Sequence, residues 1–468
     1  MRTRAAWGGN DLGSGKIGSL MLRMSIPTIA AQLVNALYNV VDRIYIGHIP
    51  EEGELALAGL GITFPIIMLV TAVQCLISVG GSTQAAVAMG AGDQERAQKT
   101  FGGSAVLLTA GGALLTVLFQ VFRDPILLLF GASEATLGYA SDYLQIYLWG
   151  TVFTMLGGGL NAFIAAQGFS MAAMVTTLIG AGCNILLDPL MIFTWKIGVR
   201  GAALATVISQ LLSAVWVLLF FLRGRGWLRL RRETLRVEMQ LMLPALAIGF
   251  SSFVMQATEC LQNIAFNASL QRYGGDLAVG AFSIASSVLK TVALVLAGFT
   301  QGGQPIVSYN YGSGDLGRVR QAAYRMVLVS ALIGAGSSLL CELLPEQIVK
   351  LFNDSPGLVE FTARALRIYM IGILFLGIQH GSQHVLVALG QTKLSLFLAA
   401  LRKLFLLIPL IYLLPLLMED AVTAILIAEP ISDTIAGAVS GILFAIRFRK
   451  LMRAKGREIR CESSARSR

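Results

Sequence analysis

The chain has 468 residues, of which 55% are hydrophobic and 13% are charged, and its formal net charge is +10. A soluble domain carries about 25% charged residues, so this composition and the mean hydropathy of +0.71 indicate a polytopic membrane protein. The positive charge is concentrated in particular loops and in the C-terminal tail, which argues against a nucleic-acid partner. The five cysteines show no paired spacing, so neither a disulfide framework nor a zinc site is expected. No cleaved signal peptide is expected either, because residues 1–18 are polar and glycine-rich.

Twelve apolar segments are each long enough to cross a bilayer, for which a helix needs about 20 residues. In chain order, the predicted spans are 24–46, 56–82, 101–122, 140–165, 170–193, 200–222, 241–268, 277–304, 325–344, 362–389, 393–416 and 422–446. The fourth and tenth are long, so we expect their ends to lie in the membrane interface.

The second half of the chain repeats the first. Gly90–Asp93 (Gly-Ala-Gly-Asp) returns at Gly312–Asp315 (Gly-Ser-Gly-Asp), so the offset in numbering is 312 − 90 = 222. We interpret both segments as tight turns that start the next helix. Further pairs share this offset: Gly81 and Gly303, Phe130 and Phe352, Tyr147 and Tyr369, Gly150 and Gly372, Gly168 and Gly390. Near the start of each half the offset is 259 − 42 = 217, which relates Asp42 to Glu259.

This repeat predicts the fold class: an all-α membrane protein with 12 transmembrane helices in two six-helix lobes. Because six is an even number, both lobes have the same orientation and are related by a pseudo-two-fold axis along the membrane normal. The predicted domains are an N-terminal lobe at 1–222, a basic linker at 223–240, a C-terminal lobe at 241–446 and a basic tail at 447–468.

Loop charges predict the orientation. Six arginines lie between 223 and 236, nine basic residues lie in the tail and four precede residue 24. Acidic residues cluster instead in the loops after the first and eleventh spans. The positive-inside rule therefore places both termini and the linker in the cytoplasm, with the basic runs near anionic lipid of a cell membrane.

Polar side chains follow one face of the first span at Gln32, Asn35, Asn39 and Asp42, with spacings of 3, 4 and 3. A matching stripe follows the seventh span. It contains Ser252, Gln256, Glu259, Asn263 and Asn267. We expect these faces to line a wet cleft between the lobes, with Gln32, Asn39, Gln256, Glu259 and Asn263 as substrate contacts. The alternative is that the amides are hydrogen-bonding contacts between helices.

Charges inside a membrane are costly and mark candidate functional sites. Counting inward from the outer helix ends places Asp42, Asp188 and Thr206 within a few ångströms of one level, and Asn184 lies one turn from Asp188. These residues predict a site for H⁺ or Na⁺ in the N-terminal lobe, because two carboxylates in a low-dielectric pocket cannot both ionise cheaply.

The C-terminal lobe departs from this pattern, because the offset of 222 relates Asp188 to Leu410. A possible charge network there comprises Glu429, Asp433, Arg402 and Lys403. We interpret it either as a structural ion pair or as part of cation coupling. His380 and His384 share a helix face but lack an obvious third ligand, so no metal site is predicted.

Four segments together resemble the MATE (multidrug and toxic compound extrusion) family over residues 20–446, in particular its DinF-like and MepA-like bacterial branch. They are ALYNVVDRIYIG at 36–47, ALAGLGITFPI at 56–66, NILLDPLMIF at 184–193 and GVRGAALATVISQ at 198–210. The resemblance implies a cation site at Asp42, Asn184, Asp188 and Thr206, with Asn35 as a looser member. It also implies that Pro27 lets the first helix bend.

By this resemblance the chain is expected to export amphipathic, often cationic compounds in exchange for H⁺ or Na⁺ by alternating access, as a monomer and without a cofactor. No ATPase signature competes with an ion gradient as the energy source. The alternative is a flippase for a lipid-linked oligosaccharide or another amphiphile, since related families share the two-lobe plan. An intramembrane enzyme is not favoured, because a nucleophile–base pair and a complete metal set are lacking.

Overall fold

The computed structural model describes residues 10–50, 52–224, 226–352 and 356–466, and within these ranges the chain is helical with no strand. The first nine residues of the predicted N-terminal lobe and the last two of the predicted tail lie outside the described residues. The helices of the first half are α1 (Ile17–Gly47), α2 (Gly53–Gly90), α3 (Gln94–Val121), α4 (Arg123–Leu129), α5 (Glu134–Trp149), α6 (Thr151–Ala166), α7 (Ser170–Thr194) and α8 (Val199–Leu222). Those of the second half are α9 (Met239–Gly275), α10 (Ala278–Ser313), α11 (Leu316–Leu343), α12 (Pro345–Lys350), α13 (Pro356–Met370), α14 (Ile373–Ala388), α15 (Thr392–Leu416) and α16 (Ala421–Arg466).

Ten helices of the described chain are long and apolar enough to cross a membrane, and two bent pairs bring the number of spans to twelve. The all-α, twelve-span fold class is thereby confirmed. The fourth and tenth spans, predicted as single long helices, are each broken in two: α5 and α6 meet at 55°, and α13 and α14 meet at 43°. The first break lies at Gly150 and the second beside its repeat partner Gly372, where an added Cβ would lie 2.7 Å from a neighbouring helix. Close packing at these glycines accompanies the two bends.

Several helices extend well beyond the apolar segments that predicted them. The twelfth span was expected to end at 446, but α16 continues to Arg466. Hydropathy detects only the part of a helix that lies in the hydrocarbon core of the membrane. The backbone hydrogen bonds of a helix do not depend on apolar side chains, so the helix can continue through polar residues. The predicted tail at 447–466 is therefore a helical extension of the last span.

Both Gly-x-Gly-Asp segments form the same helix-starting turn. The Asp93 side chain accepts a hydrogen bond from the Arg96 backbone N–H at 2.9 Å, and Asp315 accepts from Arg318 at 3.0 Å. Gly92 and Gly314 both have φ of +78°, a conformation that favours glycine. An aspartate at the N-cap satisfies one of the free amides at a helix start, so the repeated motif is structural.

The chain forms two compact units, and their borders lie inside α1 and α9. Of the described residues, the first unit comprises those within 10–14 and 26–253, and the second those within 15–25 and 254–466. The first turns of α1 thus belong to the second unit, where the Ser25 hydroxyl donates to the Phe299 carbonyl at 3.0 Å. The first turns of α9 belong to the first unit.

The residues predicted as the linker pack against the first unit. Leu228 is fully buried, and its backbone N–H donates to the Gln167 side chain at 3.0 Å. The Arg229 backbone N–H donates to the Gln98 side chain at 2.9 Å, and the Gln98 amide donates back to the Arg229 carbonyl. These bonds hold the segment between α8 and α9 against α3 and α6.

Within the first unit, helix α2 crosses the first turns of α9 at a pair of glycines. A Cβ added at Gly80 would lie 1.8 Å from the Ala245 carbonyl oxygen, and one added at Gly249 would lie 1.8 Å from the Leu76 carbonyl oxygen. Small residues let helix backbones approach this closely in a membrane, and any larger side chain would push them apart.

We therefore expect Gly249→Ala to lower the thermal unfolding midpoint of the detergent-purified protein, at a cost of about 1–3 kcal/mol from overpacking. Gly61→Ala is the matched control, because Gly61 lies within α2 and an added Cβ there has open space. It should leave the midpoint unchanged or slightly raise it, since alanine favours the helix. Equal midpoints for the two variants would contradict the close crossing.

Candidate cation site

The first unit brings four polar side chains together inside the protein. Asp42 on α1, Asn184 and Asp188 on α7, and Thr206 on α8 are all buried, with Asp188 fully so. The Asn184 side-chain amide donates to Asp188 Oδ1 at 3.2 Å and to Thr206 Oγ1 at 3.3 Å. The amide therefore connects the carboxylate of its own helix to the hydroxyl of the next.

Asp42 and Asp188 face each other across this cluster. Their carboxyl groups interact electrostatically, and a hydrogen bond between two carboxyl groups requires one of them to carry a proton. Asp42 Oδ1, Asp188 Oδ2 and Asn184 Oδ1 are buried and have no hydrogen-bond donor. None of the salt bridges in the described residues involves either aspartate. Arg43 interacts electrostatically with Asp42 but does not form a salt bridge with it. The three unpartnered acceptor oxygens therefore form a site that a proton or a small cation would satisfy.

The local structure of α7 explains how Asp188 is positioned. Asp188 precedes Pro189, after which the helix widens into a π-helical segment at Leu190–Thr194. Proline cannot donate a backbone hydrogen bond, so it interrupts the regular ladder at this point. Widened turns of this kind are frequent at functional sites.

Two tyrosines that the sequence interpretation did not include in the site, Tyr38 and Tyr143, also lie beside the cluster, and Tyr147 lies one turn from Tyr143. Tyr143 lies beside Thr206, and Tyr38 interacts electrostatically with both aspartates. Tyr147 lies beside Gln210 and Thr154, and the Thr154 hydroxyl donates to the Gln210 side-chain oxygen at 2.6 Å. The available signal was the spacing of Tyr143 and Tyr147, which places both on one face of a predicted span. Buried tyrosine hydroxyls seek a polar partner, so this face was a candidate for a polar site.

Asn35 is not in contact with this cluster. Its side chain is exposed, and its backbone carbonyl accepts a hydrogen bond from the Asn39 side chain at 2.6 Å. Asn35 precedes Asp42 by about two helical turns, which corresponds to about 10 Å along the helix. Gln32 is half-buried on the same helix.

The second unit holds a different arrangement of charges. The Arg402 guanidinium donates to Glu429 at 2.7 Å and to Asp433 at 2.5 Å, and all three side chains are almost completely buried. Lys403 pairs with Glu259, whose side chain is 40% exposed. The predicted network residues thus form two adjacent ion-paired groups, both held by the π-helical segment Leu401–Leu407 of α15.

The remaining candidates of the second unit lie on α9 and α14. Asn263 donates to the Glu259 backbone carbonyl at 2.8 Å, and Gln256 is half-buried. The His380 and His384 rings stack with centroids 5.7 Å apart, and His384 Nδ1 lies 3.4 Å from the Gln304 side-chain oxygen. Over the described ranges, no group of three or more His, Cys, Asp or Glu side chains is placed to hold a metal.

Comparison with known proteins assigns this architecture to a family. The MatE family model matches residues 27–190 and again residues 251–413, one match in each half of the repeat. The multidrug export protein MepA of Staphylococcus haemolyticus is 26% identical over 418 residues, which cover 89% of this chain and 91% of that protein.

Solved structures with the same fold include an outward-facing multidrug resistance MATE transporter of the MOP superfamily. It is 21% identical, with a TM-score of 0.87 over 95% of this chain and 98% of that one. Another is a MOP superfamily transporter from Pyrococcus furiosus whose binding pocket has reverse polarity, at 21% identity and a TM-score of 0.86, with the same coverage.

The two matched segments together cover more than half of the chain, which therefore belongs to the MatE family. It is a multi-pass membrane transporter, in agreement with the twelve spans and the MATE resemblance.

Proposed function

We propose that this protein exports amphipathic, often cationic small molecules in exchange for H⁺ or Na⁺. The observation that carries the proposal is the buried set of unpartnered oxygens on Asp42, Asp188 and Asn184 in the first unit. Such a set is favourable when a proton or Na⁺ is bound and costly when it is empty, so its occupancy follows the ion concentration on the side to which it opens. MepA of Staphylococcus haemolyticus, a relative of similar length, is a multidrug export protein, which supports the cargo class.

Polar faces rich in amide groups suit cationic cargo. Gln32 and Asn39 in the first unit, and Gln256 and Asn263 in the second, provide amide oxygens for it. Glu259, whose carboxylate pairs with Lys403, is the remaining candidate contact. The protein is proposed to act as a monomer in the cell inner membrane. Both termini are proposed to be cytoplasmic, because the basic linker and tail follow the positive-inside rule.

The test is ethidium transport by the purified protein in liposomes, driven by an imposed proton gradient or an imposed sodium gradient. We expect one of the two gradients to drive ethidium accumulation against its own gradient, and that gradient identifies the coupling ion. Protein-free liposomes with the same gradients measure passive movement of ethidium. Absence of transport under both gradients would contradict drug antiport and favour the lipid flippase.

A further inference from the structure

Carboxylates at equivalent positions of the repeat have different partners in the two units. Asp42 in the first unit and Glu259 in the second correspond through the sequence repeat. Asp42 is buried with one unpartnered carboxylate oxygen, and within the described residues it forms no salt bridge, although Arg43 interacts with it electrostatically. Glu259 instead forms an ion pair with Lys403. The equivalent position in each half is therefore open in one unit and occupied by a side-chain ammonium in the other.

The source of this ammonium is specific to the second half of the chain. Lys403 follows Arg402 in the π-helical segment of α15, and the repeat relates these two residues to Ala181 and Gly180 of the first half. The lysine side chain is 9% exposed and the glutamate 40% exposed, so the ammonium reaches the carboxylate from the protein interior. A carboxylate that is accessible on one side and neutralised from the other is a cation site whose cation is part of the protein.

We propose that Lys403 is the resident cation of the second unit: its ammonium occupies, at Glu259, the place that an exchangeable H⁺ or Na⁺ occupies beside Asp42. This inference rests on the proposed function, because it takes the Asp42 cluster as the exchangeable site. Its consequence is that each transport cycle uses the cation site of the first unit, while the second unit keeps a fixed internal charge.

The surroundings of Glu259 agree with this role. Besides Lys403, the charged or titratable side chains that interact electrostatically with Glu259 include Arg402, Lys290, Glu429, Tyr369 and His380. The Arg402 guanidinium forms salt bridges with Glu429 and Asp433, and Lys290 is exposed. Lys403 is therefore the cation that is both close to Glu259 and held in the protein interior.

The test removes the ammonium and asks whether a solution cation replaces it. Thermal unfolding midpoints of Lys403→Met and of Lys403→Met with Glu259→Gln are compared. Both variants also carry Asp42→Asn, which removes one carboxyl of the cation site in the first unit. Both are measured as Na⁺ replaces N-methylglucamine at constant ionic strength, and again as the pH falls from 8 to 6. We expect Na⁺ or protons to raise the midpoint of the single Lys403 variant by about 2 °C or more relative to the double variant.

Two controls separate a charge role from a packing role. Lys403→Arg retains the cation and should show the same Na⁺ and pH profiles as the Asp42→Asn background, whereas Lys403→Gln, a second neutral variant, should respond like Lys403→Met. A midpoint that is merely lowered, with the same Na⁺ and pH profiles whether or not Glu259 is present, would overturn the proposal. The readout requires no transport, so its failure is distinguishable from a failure of the proposed antiport.

Discussion

Asp42→Asn and Asp188→Asn are each expected to reduce gradient-driven ethidium transport to the level of protein-free liposomes. Each substitution replaces one carboxyl of the facing pair with an amide, which cannot release or accept the coupling proton and is a weaker ligand for Na⁺. The remaining carboxyl then has a permanently neutral neighbour, so its affinity for a proton or Na⁺ differs from that of the wild-type pair. Transport in liposomes with the effective gradient, normalised to the amount of reconstituted protein, measures the loss.

Folding has to be separated from coupling in this experiment. Both variants should retain a cooperative thermal transition, because an amide can accept and donate hydrogen bonds within the cluster of Asn184 and Thr206. Asp142→Asn is the matched control, since Asp142 lies in the same unit but is partly exposed and pairs with Arg200 at 2.9 Å. It should transport normally. Normal transport by either of the two site variants would exclude its aspartate from coupling.

Arg402→Met is expected to give the largest loss of stability. Arg402 is the shared partner of Glu429 and Asp433, and all three side chains are buried. Removing one member of a buried ion pair leaves an uncompensated charge in a low-dielectric interior, which typically costs about 3–5 kcal/mol. Here two carboxylates lose their partner at once. Unfolding of the purified protein by heat or by a denaturing detergent would measure the loss.

A matched variant tests whether charge is the cause. Adding Glu429→Gln and Asp433→Asn to Arg402→Met removes the charges that the guanidinium compensates, so most of the lost stability should return. A volume effect alone would persist in the triple variant, because methionine still replaces arginine there. Wild-type stability of Arg402→Met would contradict the ion-pair geometry.

Local sequence patterns predicted much of the fold. The twelve spans followed from hydropathy, because a helix in lipid must be apolar over about 20 residues wherever it stands in the fold. The Gly-x-Gly-Asp turns followed for a similar reason, since a left-handed glycine and an N-cap aspartate act within a few residues of each other. The bends at Gly150 and Gly372 were not predicted, because close packing against other helices accompanies them.

The candidate site was partly accessible from the sequence. Depth along a helix is a count of residues, so Asp42, Asp188 and Thr206 could be assigned to one level before the structure was known. Which side chains of other helices stand at that level is not given by that count. Helix packing decides that Tyr38 and Tyr143 lie near the cluster, while Asn35, about two turns from Asp42 on the same face of α1, is exposed.

The sequence by itself determined a membrane protein of two homologous halves, with carboxylates at matching places in its first and seventh spans. The tertiary structure decided which carboxylates have oxygens without a hydrogen-bond donor and which form ion pairs with basic side chains of the protein. Arg402 and Lys403 are adjacent in sequence, yet one bonds to Glu429 and Asp433 and the other to Glu259. Successive residues on a helix point in different directions, and a π-helical turn changes those directions further. The partner that each side chain meets is set by the packing of neighbouring helices, which no local pattern specifies.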